Sequence, residues 1–283
     1  MQNSLGKVRA EAQLFAPSLG IEPGRGRLSG RRILVVGAGQ RPSADSSIFG
    51  NGRAMSVLFA LEGAAVACAD KILASAEETV RLIKSDGGVA LALESDVTQE
   101  AGVAGMVKLA SERLGGLDGV VINVGIGNGK SLLEQTVETW DEVMAVNLRG
   151  HMLAAKHAIQ TLAPGGSIVF ISSVASRSPM SRQPAYEASK AALLALCRAV
   201  ALEGQARGIR ANVLSPGLMD TPMGRDASAK RPNRAARALP FGRQGTGWEV
   251  AYPALFLLSA DSSYVNALDL VVDGGLTSGV ALP

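Results

Sequence analysis

An α/β fold, a single domain on a doubly wound parallel sheet of about seven strands with helices on both faces, is predicted by three features of this chain. From Arg31 onward, short Val/Ile/Leu/Ala runs alternate with segments of helical period long enough to act as crossovers. The runs are apolar throughout rather than alternating, as parallel strands covered on both faces require. The first run ends in a glycine-rich turn that leads on to a helix, an arrangement suited to holding phosphates at a helix N-terminus.

The elements follow in order. Residues 1–28 mix polarity, with Pro17, Pro23, Gly20, Gly24 and Gly26, and read as an extension or surface arm; residues 29–283 form the domain. Strands are predicted at 33–36, 65–69, 89–93, 119–123, 167–171, 209–214 and 268–272, and crossover helices at 74–84, 99–113, 139–161, 185–206 and 248–259. The segment 218–247 has no strand pattern, follows a Pro-Gly turn and reads as a lid over a substrate. It carries Arg225, Lys230, Arg231, Arg234, Arg237 and Arg243 against Asp220 and Asp226, the pattern of a solvated, mobile lid or, as the alternative, of a surface that attracts an anionic substrate.

Composition narrows the function classes. With 47% hydrophobic residues and a net charge of +3 over 283 residues, the chain can bury a core large enough to offset its ordering entropy. Cys68 and Cys197 lie in apolar runs, which suits a reducing compartment and gives neither a disulfide framework nor a zinc spacing. His151 and His157 are six residues apart and share no helix face, so surface or packing roles are expected and no metal. No apolar stretch is long enough for a membrane span or a signal-peptide core, so a cytoplasmic protein without membrane contact is expected. The sequence pI is near 9.0, but the basic residues are spread along the chain with few aromatics between them, and nucleic-acid binding is not expected.

The glycine-rich turn reads Gly37-Ala38-Gly39-Gln40, and Gly50-Asn51-Gly52-Arg53 follows at the start of the next helix. Glycines there allow a tight turn and close approach of backbone amides to a pyrophosphate, the dinucleotide-binding device of the Rossmann fold. Asp70 closes the second strand, where a carboxylate can accept from an adenosine ribose and repel a 2′-phosphate, which favours NAD. Lys71 and Arg41 could meet a 2′-phosphate, so NADP is not excluded. A second run, Gly125 to Ser131, mimics a nucleoside-triphosphate loop, but the position five before Gly129 is Val124 and the pattern fails.

Tyr186-Glu187-Ala188-Ser189-Lys190 follows Ser172-Ser173 at a strand end. At i and i+4 on a helix, a lysine ammonium lies near a phenol and favours its phenolate, fitting the tyrosine for proton transfer near neutral pH. With Asp96-Val97, Asn123-Val124-Gly125, Val146-Asn147-Leu148, Ser215-Pro216-Gly217, Thr221 and Val272-Asp273-Gly274-Gly275, these motifs make the chain resemble the short-chain dehydrogenase/reductase family from about Leu28 to the C-terminus. The thirteen-residue step from Ser173 to Tyr186 matches the family pattern and selects Ser173 over Ser172.

The resemblance implies a catalytic set of Asn147, Ser173, Tyr186 and Lys190. Tyr186 is the general acid or base, Ser173 hydrogen-bonds the reacting oxygen, Lys190 lowers the Tyr186 pKa and holds the nicotinamide ribose, and Asn147 keeps a water in a proton relay. It also implies that Asp96 and Val97 meet the adenine, that Asn123 and Gly125 border the cofactor, and that Pro216, Gly217, Leu218 and Thr221 meet the nicotinamide end. The substrate would be a small-molecule alcohol or ketone, and helices 139–161 and 185–206 would form a homo-oligomer, a dimer or tetramer. The rivals are an NADP-dependent carbonyl reductase and a non-catalytic nucleotide-binding regulator of the same fold.

The chain departs from the family pattern in the glycine turn. Val36 stands where Thr is usual, and residues 41–49 separate Gln40 from Gly50. This insertion carries Arg41, Ser43, Asp45, Ser46 and Ser47 and is expected to form a flap over the cofactor phosphates, the alternative being a surface excursion without cofactor contact. Ser47-Ile48-x-Gly50 resembles the enoyl reductase branch, but that branch spaces Tyr and Lys seven apart, and here the step is four, so the ordinary branch is kept.

Overall fold

The computed structural model describes residues 10–178, 182–231 and 239–279. Seven strands, β1 (Arg32–Val36), β2 (Ala65–Asp70), β3 (Val89–Glu94), β4 (Gly119–Ile122), β5 (Ser167–Ile171), β6 (Arg210–Pro216) and β7 (Asp269–Val272), form one sheet in the order β3-β2-β1-β4-β5-β6-β7. Every pairing in this sheet is parallel, for example Val36 with Ala69 on one side and with Ile122 on the other. The order reverses between β1 and β4, so their C-terminal ends open a crevice at the topological switch point.

The unbroken apolar character of the strands has its reason in the two cores. Ile33 and Val35 face helices α1 (Asn51–Leu61), α2 (Leu73–Ser85) and α8 (Gly247–Leu258), while Leu34 and Val36 face the other side. There they pack with α3 (Glu100–Leu114), α5 (Gly150–Thr161) and α6 (Pro184–Gly204). A polar residue at either parity must bring its own partner, as Arg210, Asn212 and Ser215 of β6 do.

The helix expected over 139–161 is not continuous. It runs as α4 (Val137–Met144), a π-helical turn (Ala145–Arg149) and α5. The interruption falls on Asn147, whose side chain is drawn into hydrogen bonds outside its own helix, a local strain that widened turns accommodate. The leading segment is docked rather than loose. It forms a 3₁₀ turn (Ala10–Gln13) and a one-turn helix (Ala16–Leu19), and Ser18 Oγ donates to Glu249 at the start of α8. Arg25 and Arg27 donate their backbone N–H groups to Glu62, and Leu28 is fully buried, so the chain is already part of the packed body at the predicted boundary. The segment expected to form a lid begins with a two-residue pairing of Met219–Asp220 with Gly245–Thr246 and includes α7 (Pro222–Ala229); Arg234 and Arg237 lie outside the described residues.

Candidate active site

Helix α6 carries two of the expected catalytic residues, Tyr186 and Lys190. Gln183 caps it, Pro184 opens it, and Tyr186 and Lys190 lie one turn apart, with Lys190 Nζ 5.9 Å from the centroid of the Tyr186 ring. Lys190 is 3% exposed and donates from Nζ to the Ile171 carbonyl at 2.9 Å, at the end of β5. Burial disfavours its charged form and pulls the amine from 10.5 down to about 7. Asn147 is fully buried, accepts at Oδ1 from Ile126 N (2.8 Å), and donates from Nδ2 to Ile126 O (2.8 Å) and Ser189 Oγ (3.1 Å). Ser189 Oγ in turn donates to the Tyr186 carbonyl at 2.8 Å, so Asn147 is linked to the backbone of the tyrosine turn.

The two strand-end serines face differently. Ser172 is buried and donates from Oγ to the Lys190 carbonyl at 2.8 Å, pinning α6 to β5. Ser173 is half-buried and accepts at Oγ from Ala175 N at 3.2 Å, which leaves its hydroxyl proton for another acceptor.

At the other end of the crevice, Gly37 adopts φ +84°, and its carbonyl accepts from Asn123 Nδ2 at 2.8 Å. A Cβ at Gly52 would collide with that carbonyl and stand 2.7 Å from Asn123 Nδ2, so only glycine lets the start of α1 approach the turn. The first amides of α1 have no acceptor within the helix, as an anion site requires. Asp70 accepts at Oδ2 from Gly39 N and at Oδ1 from Ile72 N, both at 3.0 Å, which fixes its carboxylate beside the glycine turn. These residues fit a dinucleotide: a glycine cradle that a side chain would fill, an open helix N-terminus and an acid at the second strand.

The basic residues that favoured NADP are engaged elsewhere. Lys71 Nζ lies 2.7 Å from Asp96 Oδ2, and Arg41 Nη1 lies 3.2 Å from Asp226 Oδ2. Lys71, helped by two hydrogen bonds from Thr98, holds the Asp96 carboxyl down at about 2. Val97 is buried against Gly150. Among the residues expected at the nicotinamide end, Pro216 ends β6, Gly217 N donates to Val272 O, the Leu218 carbonyl accepts from Gly245 N, and Thr221 Oγ1 caps α7 by accepting from Gly224 N at 3.0 Å. Gly125 stands beside Lys190 and Asn147, where a Cβ would lie 3.2 Å from Nζ.

Several positioning residues escape sequence reading. Ser75 Oγ accepts from Gln40 N and donates to Gln40 O, stapling α2 to the glycine turn. Gln183 is buried, and its Oε1 accepts from Gly129 N at 2.8 Å, tying the glycine run 125–129 to the start of α6. Its place one turn before Tyr186 was the available signal. His151 is fully buried beside Phe170, ring centroids 6.3 Å apart, and burial with the nearby Lys190 charge holds its pKa well below 6.5. Both thiols are buried and pushed up to about 12, chiefly by desolvation, so neither is a nucleophile. Among the described residues no cluster of three His, Cys, Asp or Glu could hold a metal, and no helix is long and apolar enough to cross a membrane.

Known proteins resemble this arrangement along nearly all of the chain. The family model described as enoyl-(acyl carrier protein) reductase matches residues 44–277. The (3R)-3-hydroxyacyl-CoA dehydrogenase of Mus musculus is 35% identical over 261 residues, 88% of this chain and 97% of its own length. The inactive 2-(S)-hydroxypropyl-CoM dehydrogenase 2 of Xanthobacter autotrophicus is 38% identical over 224 residues, 76% of this chain and 96% of its own. The structure of a short-chain dehydrogenase/reductase from Serratia marcescens superposes with a TM-score of 0.78 at 28% identity, over 89% of this chain and 99% of that one.

Proposed function

Because the chain belongs to the short-chain dehydrogenase/reductase family and is therefore an oxidoreductase acting on CH–OH groups, we propose that it interconverts a secondary alcohol and a ketone with NAD(H), using Tyr186 as general acid and base. The observation that carries this reading is the buried Lys190 amine 5.9 Å from the Tyr186 ring on one face of α6, with Asn147 linked to the same turn through Ser189.

The nicotinamide, when bound, supplies the hydride donor or acceptor. The chain's own residues handle the proton. In reduction, Tyr186 Oη gives its proton to the carbonyl oxygen as charge develops there, and in oxidation it removes the hydroxyl proton. The Ser173 hydroxyl donates to the same oxygen, and a protonated Lys190 stabilises the phenolate left behind. Asn147, held by three hydrogen bonds, keeps the glycine run at Ile126 close to Lys190, where protons are resupplied.

Asp70 beside Gly39 supports NAD over NADP, since a second negative charge at the 2′ position would face a fixed carboxylate. The pairing of Lys71 with Asp96 and of Arg41 with Asp226 supports the same preference. The non-catalytic alternative, which an inactive relative keeps in view, is disfavoured because this chain retains Asn147, Ser173, Tyr186 and Lys190 together. A step of four between Tyr186 and Lys190 favours carbonyl over double-bond reduction.

The test is a panel of secondary alcohols and ketones followed by the absorbance of reduced nicotinamide, with NAD(H) and NADP(H) in parallel. Turnover with a higher kcat/KM for NAD(H) is the expected result. A preference for NADP(H) would overturn the cofactor reading, and absence of turnover across the panel would favour the regulator.

A further inference from the structure

The polar groups of the insertion at 41–49, expected to form a flap over the cofactor phosphates, bond in this structure to one another, to Gln40 and to the segment after β6. Its base is closed by Gln40, which accepts at Oε1 from Gly50 N (2.8 Å) and donates from Nε2 to Ile48 O (3.4 Å). Its tip is a local turn: Asp45 Oδ1 accepts from Ser47 N and Oγ at 3.0 and 2.6 Å, and Ser43 Oγ donates to Asp45 O at 3.0 Å. The remaining charged groups reach across to the lid helix α7. Arg41 Nη1 meets Asp226 Oδ2 at 3.2 Å, and Asp45 Oδ2 meets Arg225 Nη1 at 3.5 Å. Arg225 is itself held by Asp220 through Nε and Nη2, at 2.7 and 3.0 Å.

The charges cross. The loop offers a cation and then an anion, and the helix offers the cation Arg225 beside the anion Asp226, so each side answers the other in only one register. The end of the insertion is fixed as well, because Phe49 packs on Trp248 at 5.1 Å between ring centroids, at the start of α8, where the lid segment ends. The insertion leaves and rejoins the chain at the proposed phosphate end of the crevice, and α7 begins just after its cap Thr221, at the proposed nicotinamide end. The two cross-pairs thus join segments that belong to opposite ends of the proposed cofactor site.

We propose that the insertion and α7 form an electrostatic clasp across the cofactor cleft, with Arg41 and Asp45 as positioning residues of the lid, and that the clasp must part for a dinucleotide to enter or leave. This rests on the dinucleotide site read above. The four side chains of the two cross-pairs are 45–51% exposed, so each pair is weak and screened by salt. A weak, crossed pairing suits a latch that opens in each cycle better than a permanent strut.

Stopped-flow fluorescence of bound NADH displaced by excess NAD reads the release rate directly. Arg41→Asp and Asp226→Arg each set like charges against one another and are expected to speed release about threefold. The double variant Arg41→Asp/Asp226→Arg restores an attractive pair with reversed signs and is expected to return to within about twofold of the original rate. Rising salt should speed release from the native protein and have a smaller effect on Arg41→Asp. Release rates unchanged in both single variants, or a double variant as fast as the singles, would overturn the clasp. If the native protein failed to bind NADH by fluorescence titration, the dinucleotide reading would fall and the clasp with it, whereas NADH binding with unaltered release defeats the clasp alone.

Discussion

The role proposed for Lys190 joins stability and chemistry in one side chain. Its folded-state pKa of about 7 lies below the 10.5 of the unfolded chain, so between these values the unfolded state holds the extra proton and stability rises with pH. Below about pH 7 the cost of the buried charge is fully present. Lys190→Met is therefore predicted to melt several degrees higher than the native protein at pH 6 while losing most of its turnover. In the same titration the ammonium that favours the Tyr186 phenolate disappears, so kcat/KM for ketone reduction should fall on the alkaline side with a midpoint near 7. A pH-independent profile from 6 to 9 would exclude Lys190 from that role. The spacing of Tyr186 and Lys190 was legible in the sequence because helical period is local. The partners of Arg41 and Lys71 were not, since Asp226 lies 185 positions from Arg41 and only the fold brings them together.

At the scale of elements, the π-helical turn at Asn147 shows how a side chain can reshape a helix. The sequence predicts one helix over 139–161 because its apolar pattern is nearly continuous, and nothing local announces that Asn147 will bond Ile126 on another segment. Asn147→Ala would strand both Ile126 backbone groups and remove a donor from Ser189 Oγ. A loss of about 2–4 kcal/mol is predicted by urea denaturation, with turnover falling alongside. A change below about 0.5 kcal/mol would mean that those groups find other partners. Strand positions, by contrast, were legible almost to the residue, because burial on both faces leaves an unbroken apolar run. The boundaries at Asp70 and Pro216 exceed the apolar runs because backbone pairing continues past the last hydrophobic side chain.

For the whole molecule, a hollow away from the proposed catalytic residues bears on assembly. About 740 Å³ opens on the outer face of α4 to α6, lined by Met144, Leu148, Met152 and Leu196 with Glu138, Glu142 and Arg149 at its rim. The helices that line it are those the sequence leads one to expect in an oligomer. Met152→Arg is predicted to shift sedimentation toward a monomer with the fold intact by circular dichroism, and an unchanged oligomer would move the interface elsewhere. The leading residues were legible only as an arm, since their contacts are with Glu62, Glu249 and the ring of Trp248, groups that only the fold brings to them.

The central claim is that Tyr186 moves the proton in a hydride-transfer reaction. Tyr186→Phe removes one hydroxyl and leaves the glycine turn, Asp70 and Lys190 in place. Measured side by side, the variant should bind NADH by fluorescence titration within about threefold of the native protein and reduce a ketone substrate at least about a hundredfold more slowly. Ketone reduction within about twofold of the native rate would contradict the account.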